Sequence, residues 1–267
     1  MKYKKIPIRF TGQHFTIDQK LIRKMIRVAQ VSTGDTVIDI GAGKGAIISE
    51  VTSLDISLIA IENDRRLANN LTKRFAKYKN ITILNQSITK TEAVKMPFKT
   101  ISNIPYRHTA FIMDYLMNRC FGQFQGGCII MQREAAEKYC KNRSFNPKVH
   151  FYHAFFEIKF LQVVHPNSFI PPPTVDSGMI MIKSRRNKRN IDPQKYHSFL
   201  NILFSNTTDS IYRALNRIFR KHDSRYLIQR SKLRTDVPLG DIPTYKFQMY
   251  FEYMLQFVPE SKHPRIR

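Results

Sequence analysis

The chain has 267 residues, and its 44 Lys and Arg outnumber its 20 Asp and Glu, which gives a formal net charge of +24 and a pI near 10.1. Such an excess of cations indicates a polyanionic partner, either a nucleic acid or an acidic membrane. Nucleic acid is favoured, because no apolar run reaches the roughly 18 residues of a spanning helix and no polybasic block adjoins a lipidation signal.

The first predicted strand ends in a glycine-rich loop. A β-branched run at 36–40 is followed directly by Gly41-Ala42-Gly43-Lys44-Gly45 and then by a helical stretch. Glycine lets the backbone approach a ligand closely, and a helix N-terminus presents free N–H groups. A second predicted strand, at 57–61, leads into Glu62, about twenty residues past the glycines, where a carboxylate can bind both hydroxyls of a ribose. The pattern therefore predicts a nucleotide site that includes Gly41, Gly43 and Glu62.

The spacing of the loop narrows the choice of nucleotide. It is Gly-x-Gly-x-Gly, whereas dinucleotide enzymes usually carry Gly-x-Gly-x-x-Gly. A phosphate-binding P-loop is excluded, because Lys44 lacks the required preceding spacing and is not followed by Ser or Thr. Asp39, just before the loop, can meet a ligand's ammonium group. These features favour S-adenosylmethionine, which carries an amino-acid end, a sulfonium and no phosphates.

A tetrapeptide, Asn103-Ile104-Pro105-Tyr106, follows a short stretch at 100–102 that is typical of the end of a buried strand. It suits methyl transfer to an exocyclic amine, a poor nucleophile whose lone pair is delocalised into a planar ring. The side-chain oxygen of Asn103 and the Ile104 carbonyl can accept hydrogen bonds from the two N–H groups of this amine. Pro105 fixes the local backbone and brings no competing N–H. Tyr106 offers a flat face for stacking. An ordinary Asn-Pro turn is the alternative interpretation of the tetrapeptide alone.

The alternation of strands and helices continues along the chain. Strands are predicted at 81–86 and 126–132, and the segments 155–164 and 179–182 are predicted to form a closing antiparallel pair. The expected fold class is α/β, with a mostly parallel seven-stranded sheet and helices on both of its faces. Its ligand crevice would lie at the carboxyl ends of the strands, where the glycine loop, Glu62, Ser87 and Asn103 would gather.

A cationic linker without apolar residues, 183–190, marks the predicted boundary between a catalytic domain at 1–183 and a small all-helical domain at 184–267. Two apolar stripes predict helices beyond it. They comprise Ile211, Ala214, Leu215, Ile218 and Phe219, and Phe247, Tyr250, Phe251, Met254 and Leu255. The cations predicted to bind RNA phosphates are Arg185, Arg186, Lys188 and Arg189 in the linker, and Arg213 and Arg217 beside the first stripe. A solvated face is the alternative for the last two.

Five stretches, in order along the chain, resemble the rRNA adenine N6-dimethyltransferase superfamily, and within it the erythromycin-resistance methyltransferases. They are Gly12-Gln13-His14-Phe15-Thr16, Asp39 to Gly45, Ile61 to Asp64, Ser102 to Tyr106, and Phe169 to Ser177. The resemblance runs from near the N-terminus to about residue 183, and implies a Rossmann-like class I methyltransferase domain. Ile218 to Lys221 resembles the C-terminal part of the family less specifically.

The resemblance also implies roles for individual residues. Those expected at the cofactor are Gln13, His14 and Thr16 over its methionine end, Gly41 and Gly43 beneath it, and Glu62 on its ribose. Asn103 and the Ile104 carbonyl bind the target amine, and Asn103 also contributes to the cofactor site. Tyr106 stacks on the adenine, and Phe169 closes over the base from the other side. Ser87 replaces the Asp that the family usually has to accept from the cofactor's adenine amine, and this neutral acceptor should bind more weakly.

The predicted function is transfer of methyl groups from S-adenosylmethionine to N6 of an adenine in 23S rRNA, with dimethylation and resistance to macrolides, lincosamides and streptogramin B. One alternative is the enzyme that dimethylates small-subunit 16S rRNA, and another is a non-catalytic nucleic-acid-binding relative. The target base must be unpaired or flipped out. We expect a monomer without a metal. A cytoplasmic location is expected, because the chain has no signal-peptide pattern and an odd number of cysteines without Cys-x-x-Cys.

Overall fold

The computed structural model of the protein describes residues 14–185 and 191–265. The expected α/β class is confirmed. The strands are β1 (Phe15–Thr16), β2 (Thr36–Ile40), β3 (Ser57–Glu62), β4 (Ile81–Asn85), β5 (Phe98–Asn103), β6 (Phe124–Gln132), β7 (Phe156–Val164), β8 (Phe169–Ile170) and β9 (Ser177–Ser184). The helices are α1 (Gln19–Val28), α2 (Ala46–Val51), α3 (Arg65–Arg74), α4 (Thr109–Asp114), α5 (Arg133–Cys140), α6 (Pro147–Phe155), α7 (Pro193–Leu203), α8 (Ile211–Leu215), α9 (Lys221–Arg230) and α10 (Thr244–Phe257).

Seven of these strands form one sheet in the order β4-β3-β2-β5-β6-β9-β7, which confirms the predicted mostly parallel seven-stranded sheet. The pairs β2–β3, β3–β4, β2–β5 and β5–β6 are all parallel. The inner strands are β-branched runs because both of their faces are covered, as in β2, where Val37, Ile38 and Ile40 are at most 1% exposed. Met25 of α1 and Ile48 of α2 belong to the same core cluster as Val37.

Strands β2 and β5 lie at the point where the strand order reverses. The backbone pairing between these two strands is confined to two residue pairs, Val37 with Lys99 and Ile38 with Thr100. Beyond it, the Ile40 N–H donates to the Ser102 hydroxyl at 2.8 Å. Side-chain hydrogen bonds thus replace the backbone ladder at the carboxyl ends of these two strands, where α/β sheets bind their ligands.

A separate two-stranded ribbon holds the start of the described chain. β1 pairs antiparallel with β8, Phe15 opposite Ile170 and Thr16 opposite Phe169. The His14 Nδ1 lies 2.9 Å from the Pro171 carbonyl oxygen. This pairing fixes the position of the residues that precede α1.

Contacts divide the chain into two compact units, one of residues 1–136 with 160–182 and one of residues 137–159 with 183–267. The second unit therefore takes in α6, although the sequence predicts a single boundary at 183/184. The reason is the side chains of α6, since Val149, Phe151 and Phe155 are buried. The Phe155 ring meets that of Tyr196 in α7 at 6.0 Å between centroids.

The apolar stripes of the C-terminal segment form the interior of the second unit. Ile211, Ala214 and Leu215 of the first stripe are fully buried, and so are the first four members of the second. The fifth, Leu255, is 40% exposed, because α10 turns it outward.

Candidate active site

The glycine loop and Glu62 form one hydrogen-bonded unit. Gly43 has a φ of +57°, and a Cβ there would lie 2.6 Å from the Phe15 ring, so that only glycine fits. The Gly43 N–H donates to Glu62 Oε2 at 2.8 Å, and the Asp64 N–H donates to Oε1 at 2.8 Å. Both bonds orient a carboxylate that is only 2% exposed, at the carboxyl end of β3.

A crevice opens beside this unit, at the carboxyl ends of β2, β3, β4 and β5. The predicted site residues that line it are His14, Gly41, Gly43, Glu62, Ser87, Asn103, Ile104 and Tyr106. A smaller cavity adjoins it behind the loop, and its lining includes Thr16, Asp39, Gly41 and Asn103. The structure thus brings together residues that lie as far apart in the sequence as His14 and Tyr106.

Asn103 is held by its amide nitrogen. The Nδ2 donates to the His14 carbonyl at 2.7 Å, and Oδ1 is buried without a hydrogen-bond partner among the described residues. The Ile104 N–H donates to the Ile130 carbonyl at 3.0 Å, which ties the tetrapeptide to β6. A Cβ on Gly41 would lie 3.1 Å from Pro105 Cδ, so the loop and the tetrapeptide are in close contact. The side-chain oxygen of Asn103 is therefore a fixed acceptor.

Tyr106 is anchored at its far end. Its hydroxyl forms a hydrogen bond with the Ser177 hydroxyl of β9. Burial raises the pKa of Tyr106, against the opposing effect of the Ser177 hydrogen bond, so the phenol stays neutral. Its ring lies 5.9 Å from the His14 ring, with 34° between the planes. The ring is fixed by these contacts and lines the crevice as a planar surface.

Asp39 is the most unusual group of the site. It is 1% exposed, and neither carboxylate oxygen has a hydrogen-bond partner among the described residues. Burial, with the nearby Glu62 charge, raises the pKa of Asp39 well above its usual range. Thr16 Oγ1 is likewise buried without a partner. Because buried polar groups are nearly always hydrogen-bonded, this cluster is suited to a ligand that donates several hydrogen bonds.

Ser87 caps the short turn Ile88–Lys90. Its hydroxyl accepts from the Thr89 N–H at 3.3 Å and lies 2.8 Å from the Thr89 hydroxyl. The residue also lines the crevice, at the end of β4. When the Ser87 hydroxyl donates to the Thr89 hydroxyl, one lone pair of the Ser87 oxygen is left for a ligand.

The structure does not bring every predicted residue to the crevice. Phe169 is 2% exposed and belongs to the hydrophobic core beneath β8, so this placement does not support its predicted role over the base. Gln13 and three of the linker cations, Arg186, Lys188 and Arg189, lie outside the described residues. Arg185 and Arg213 are exposed. The Arg217 guanidinium is held by Asp209 and the Leu203 carbonyl within its own unit.

Phe15 is the main residue that the sequence analysis missed. Its ring covers Gly43 and lines the crevice, with Lys44 Nζ 4.9 Å from the ring centroid. It lies in the stretch that resembles the known family, but nothing local distinguishes it from a core phenylalanine. Arg107 and His108 line the same crevice and follow the tetrapeptide directly.

Among the described residues, no three His, Cys, Asp or Glu side chains are placed to hold a metal ion. Within the same part of the chain, none of the helices is both long and apolar enough to cross a membrane. Cys120 and Cys128 are buried and Cys140 is half-buried, all three as free thiols.

The fold and site define a class I methyltransferase. The model of the family described as ribosomal RNA adenine dimethylase matches residues 6–256, and the chain belongs to this family. The predicted enzyme class, an rRNA adenine N6-methyltransferase, is thereby confirmed.

Several relatives match most of the chain. An rRNA adenine N-6-methyltransferase of Bacteroides fragilis is 38% identical over 99% of this chain and 100% of its own length. One of Bacillus licheniformis is 30% identical over 96% and 90%. Ribosomal RNA small subunit methyltransferase A of Thermotoga maritima is 27% identical over 73% and 69%. The crystal structure of the 23S rRNA methyltransferase ErmE has a TM-score of 0.78 at 21% identity, over 89% of this chain and 98% of its own, and thus shares its fold.

Proposed function

We propose that the crevice binds S-adenosylmethionine beside an unpaired adenine of 23S rRNA and that the enzyme dimethylates N6 of that adenine, conferring resistance to macrolides, lincosamides and streptogramin B. The observation that carries the proposal is the Asn103 side chain, whose Oδ1 is buried, held in place and without a hydrogen-bond partner in the described part of the chain. An acceptor in this state suits an N–H donor on the substrate.

The cofactor pocket fits S-adenosylmethionine group by group. Among the described residues nothing is bonded to the two carboxylate oxygens of Asp39, which leaves them for an ammonium, and Glu62 is oriented toward the crevice for ribose hydroxyls. The missing Cβ of Gly43 lets the Phe15 ring pack on the loop at the edge of the crevice, and Ser87 offers an acceptor for an adenine amine. When bound, the cofactor supplies an electrophilic methyl group on a sulfonium.

The protein's own residues prepare the nucleophile. Asn103 Oδ1 and the Ile104 carbonyl accept hydrogen bonds from the two N–H groups of the adenine amine. These hydrogen bonds draw the amine nitrogen toward a tetrahedral geometry and free its lone pair. These acceptors strengthen as the hydrogens become acidic in the transition state. Tyr106 holds the base by stacking, since its hydroxyl is fixed by Ser177. The product ammonium is acidic enough to lose its proton to water, so no general base is needed.

Two features separate this chain from the small-subunit enzymes and thereby favour 23S over 16S rRNA as the substrate. The relatives named rRNA adenine N-6-methyltransferase are 38% and 30% identical to this chain, whereas the Thermotoga maritima small-subunit enzyme is 27% identical. Ile104 also stands where the small-subunit branch tends to have leucine. We further propose a monomer that acts in the cytoplasm, and Arg185 and Arg213 as exposed contacts to RNA phosphates.

Primer extension tests the reaction and the substrate together. On rRNA from cells with and without the gene, we expect one gene-dependent stop in 23S rRNA, together with erythromycin resistance. A stop at adjacent adenines of 16S rRNA would identify the alternative enzyme. The absence of any stop, together with no transfer of labelled methyl groups to rRNA, would favour the non-catalytic relative.

The variant Asn103→Ala tests the mechanism. Loss of an acceptor aimed at developing charge typically lowers turnover 10²–10³-fold, while cofactor affinity should fall far less. Tyr106→Ala is the comparison, since it should weaken RNA binding as well as turnover. A folded Asn103→Ala enzyme that methylates at nearly the wild-type rate would overturn the role of Asn103.

A further inference from the structure

A second groove, of about 580 Å³, lies within the second unit and shares no residue with the crevice. Its walls come from the loop after α5, the start of β7, the end of β9 and the first turns of α10. We call it the cationic groove, because four of the described residues that line it are cations. The exposed ring of Tyr245 lines it as well. These cations are Lys141, Arg143, Lys159 and Arg185.

The charge of this groove is largely uncompensated. Among the described residues that line it, Glu157 is the single carboxylate, and it is paired with Lys159. Lys141, Arg143 and Arg185 are exposed and form no ion pair within the described part of the chain. Like charges crowded in one place repel each other, so this arrangement is suited to a bound polyanion.

The effects of crowding reach neighbouring groups. Burial, assisted by the Arg185 charge, lowers the pKa of His153. Burial and the Arg143 charge lower the pKa of Lys246. The positive charges of the groove therefore make it less favourable for His153 and Lys246 to carry a proton. A bound anion would reduce this electrostatic repulsion.

The loop that carries Lys141 and Arg143 is rigidly tied. The Asn142 carbonyl accepts from the Thr244 N–H at 3.0 Å. His150, fully buried and outside the crevice, has Nε2 2.7 Å from the Ser144 carbonyl and Nδ1 2.9 Å from the Thr244 hydroxyl. Burial lowers the pKa of His150 to about 4, so the ring is neutral and Nε2 is the donor to Ser144. These bonds preorganise the groove.

Tyr245 indicates the kind of polyanion. It is 59% exposed at the groove, an uncommon position for a tyrosine ring, and Lys246 Nζ lies 6.0 Å from its centroid. Proteins that bind single-stranded nucleic acid combine a positive groove for the backbone with aromatic rings on which bases stack. A paired helix keeps its bases inside and offers no free face to such a ring.

We propose that the cationic groove binds an unpaired segment of the substrate RNA, away from the target adenine. Phosphates lie on Lys141, Arg143 and Arg185, and one base stacks on Tyr245. This inference rests on the proposed function for the identity of the RNA, and it adds a second point at which unpaired structure is recognised.

The test uses full-length enzyme and the rRNA fragment that carries the adenine located by primer extension. Binding is measured by fluorescence anisotropy over a series of salt concentrations. Lys141→Gln combined with Arg143→Gln should weaken binding and lower the slope of log K against log salt by about 1.4, for two contacts to single-stranded phosphates. The control, Arg225→Gln with Lys262→Gln, removes the same amount of charge from exposed positions of the same unit. Its salt slope should stay close to that of the wild-type enzyme.

Variants of Tyr245 distinguish the contribution of base stacking from that of the positive charges. Tyr245→Ala should weaken binding of the fragment about 5- to 150-fold, the range expected for one stacked base, whereas Tyr245→Phe should bind as wild type. A fully paired duplex of equal length should show no Tyr245 effect. All these variants should keep wild-type cofactor affinity and single-turnover rate at saturating RNA.

Two results would overturn the inference. One is a groove variant with the same affinity and salt slope as the control variant, and the other is an equal effect of Tyr245→Ala on duplex and unpaired RNA. Either can occur while the wild-type enzyme methylates the fragment normally. If the wild-type enzyme neither binds nor methylates rRNA, the proposed function itself fails.

Discussion

Replacing Asp39 by asparagine removes a buried negative charge and hardly changes the size of the side chain. In the free enzyme this carboxyl is 1% exposed, its oxygens have no hydrogen-bond partner among residues 14–185 and 191–265, and its pKa is raised, by burial first and by the Glu62 charge second. A pKa raised in the folded state means that the native protein holds the proton more tightly than the unfolded chain. The contribution of Asp39 to the free energy of unfolding is therefore fully present below 3.8, the pKa of this carboxyl in the unfolded chain. It is lost as the pH rises through the higher pKa of the folded state. The free Asp39→Asn enzyme should be at least as stable as wild type at neutral pH.

Cofactor binding should change in the opposite direction. A hydrogen bond to a charged group contributes about 1.5–3 kcal/mol and a neutral one about 0.5–1.5 kcal/mol, so Asp39→Asn should cost about 1–2 kcal/mol. That difference corresponds to a Kd for S-adenosylmethionine about 5- to 30-fold weaker. Because the ammonium requires Asp39 ionised, wild-type affinity should also rise with pH until the raised pKa is passed.

Isothermal titration calorimetry between about pH 5.5 and 7.5, below the usual α-amino pKa of about 7.7–8.0, measures both effects. The wild-type Kd should fall with rising pH, and the Asp39→Asn Kd should be nearly constant. Thermal unfolding of the free proteins checks that the variant is folded. A variant with wild-type affinity, or one that keeps the wild-type pH dependence, would refute the assignment of the ammonium to Asp39.

Two further predictions concern Ser87 and His150. Ser87→Asp should tighten S-adenosylmethionine binding by about 1 kcal/mol, because a charged acceptor replaces a neutral one; weaker binding in the calorimeter would mean that Ser87 does not face the adenine amine. The pKa of His150 is lowered from 6.5 to about 4 by burial, so the unfolded chain binds the extra proton first and stability falls as the pH drops through that window. Denaturant unfolding should show a loss of about 2–2.5 kcal/mol between pH 7 and 4.5 from this group, and His150→Gln should lose correspondingly less than wild type over the same interval.

The parts of the site that the sequence predicted are those fixed by local order. A β-branched run followed by glycines predicts a buried strand and a tight turn, and a carboxylate at the end of the next parallel strand is then expected at the same edge of the sheet. The hydrogen bond from the Gly43 N–H to Glu62 is the direct outcome. The Asn103 tetrapeptide was likewise predicted, because it follows its strand immediately.

The features that no local pattern predicts depend on distant partners. Phe169 is in the core because β8 pairs with β1, a contact across more than 150 residues that no local pattern reveals. The segment 137–159 belongs to the second unit because the aromatic side chains of α6 pack on α7 and α10, far along the chain. The position of Tyr245 beside Lys141 and Arg143 has the same origin.

The location of the crevice follows from two small polar residues in the middle of the sheet. Thr100 Oγ1 donates to the Ile38 carbonyl at 2.9 Å, and Ser102 Oγ accepts from the Ile40 N–H. Both are fully buried, so their hydroxyls must be satisfied locally, and they are satisfied by the backbone of β2 in place of a continued strand ladder. Asn103, the next residue, faces the crevice and is free to use its side-chain oxygen on a ligand. The polar residues Thr100, Ser102 and Asn103 of β5 therefore end the backbone pairing of β2 with β5 at the switch point and place there the side-chain acceptor that we propose binds the target amine.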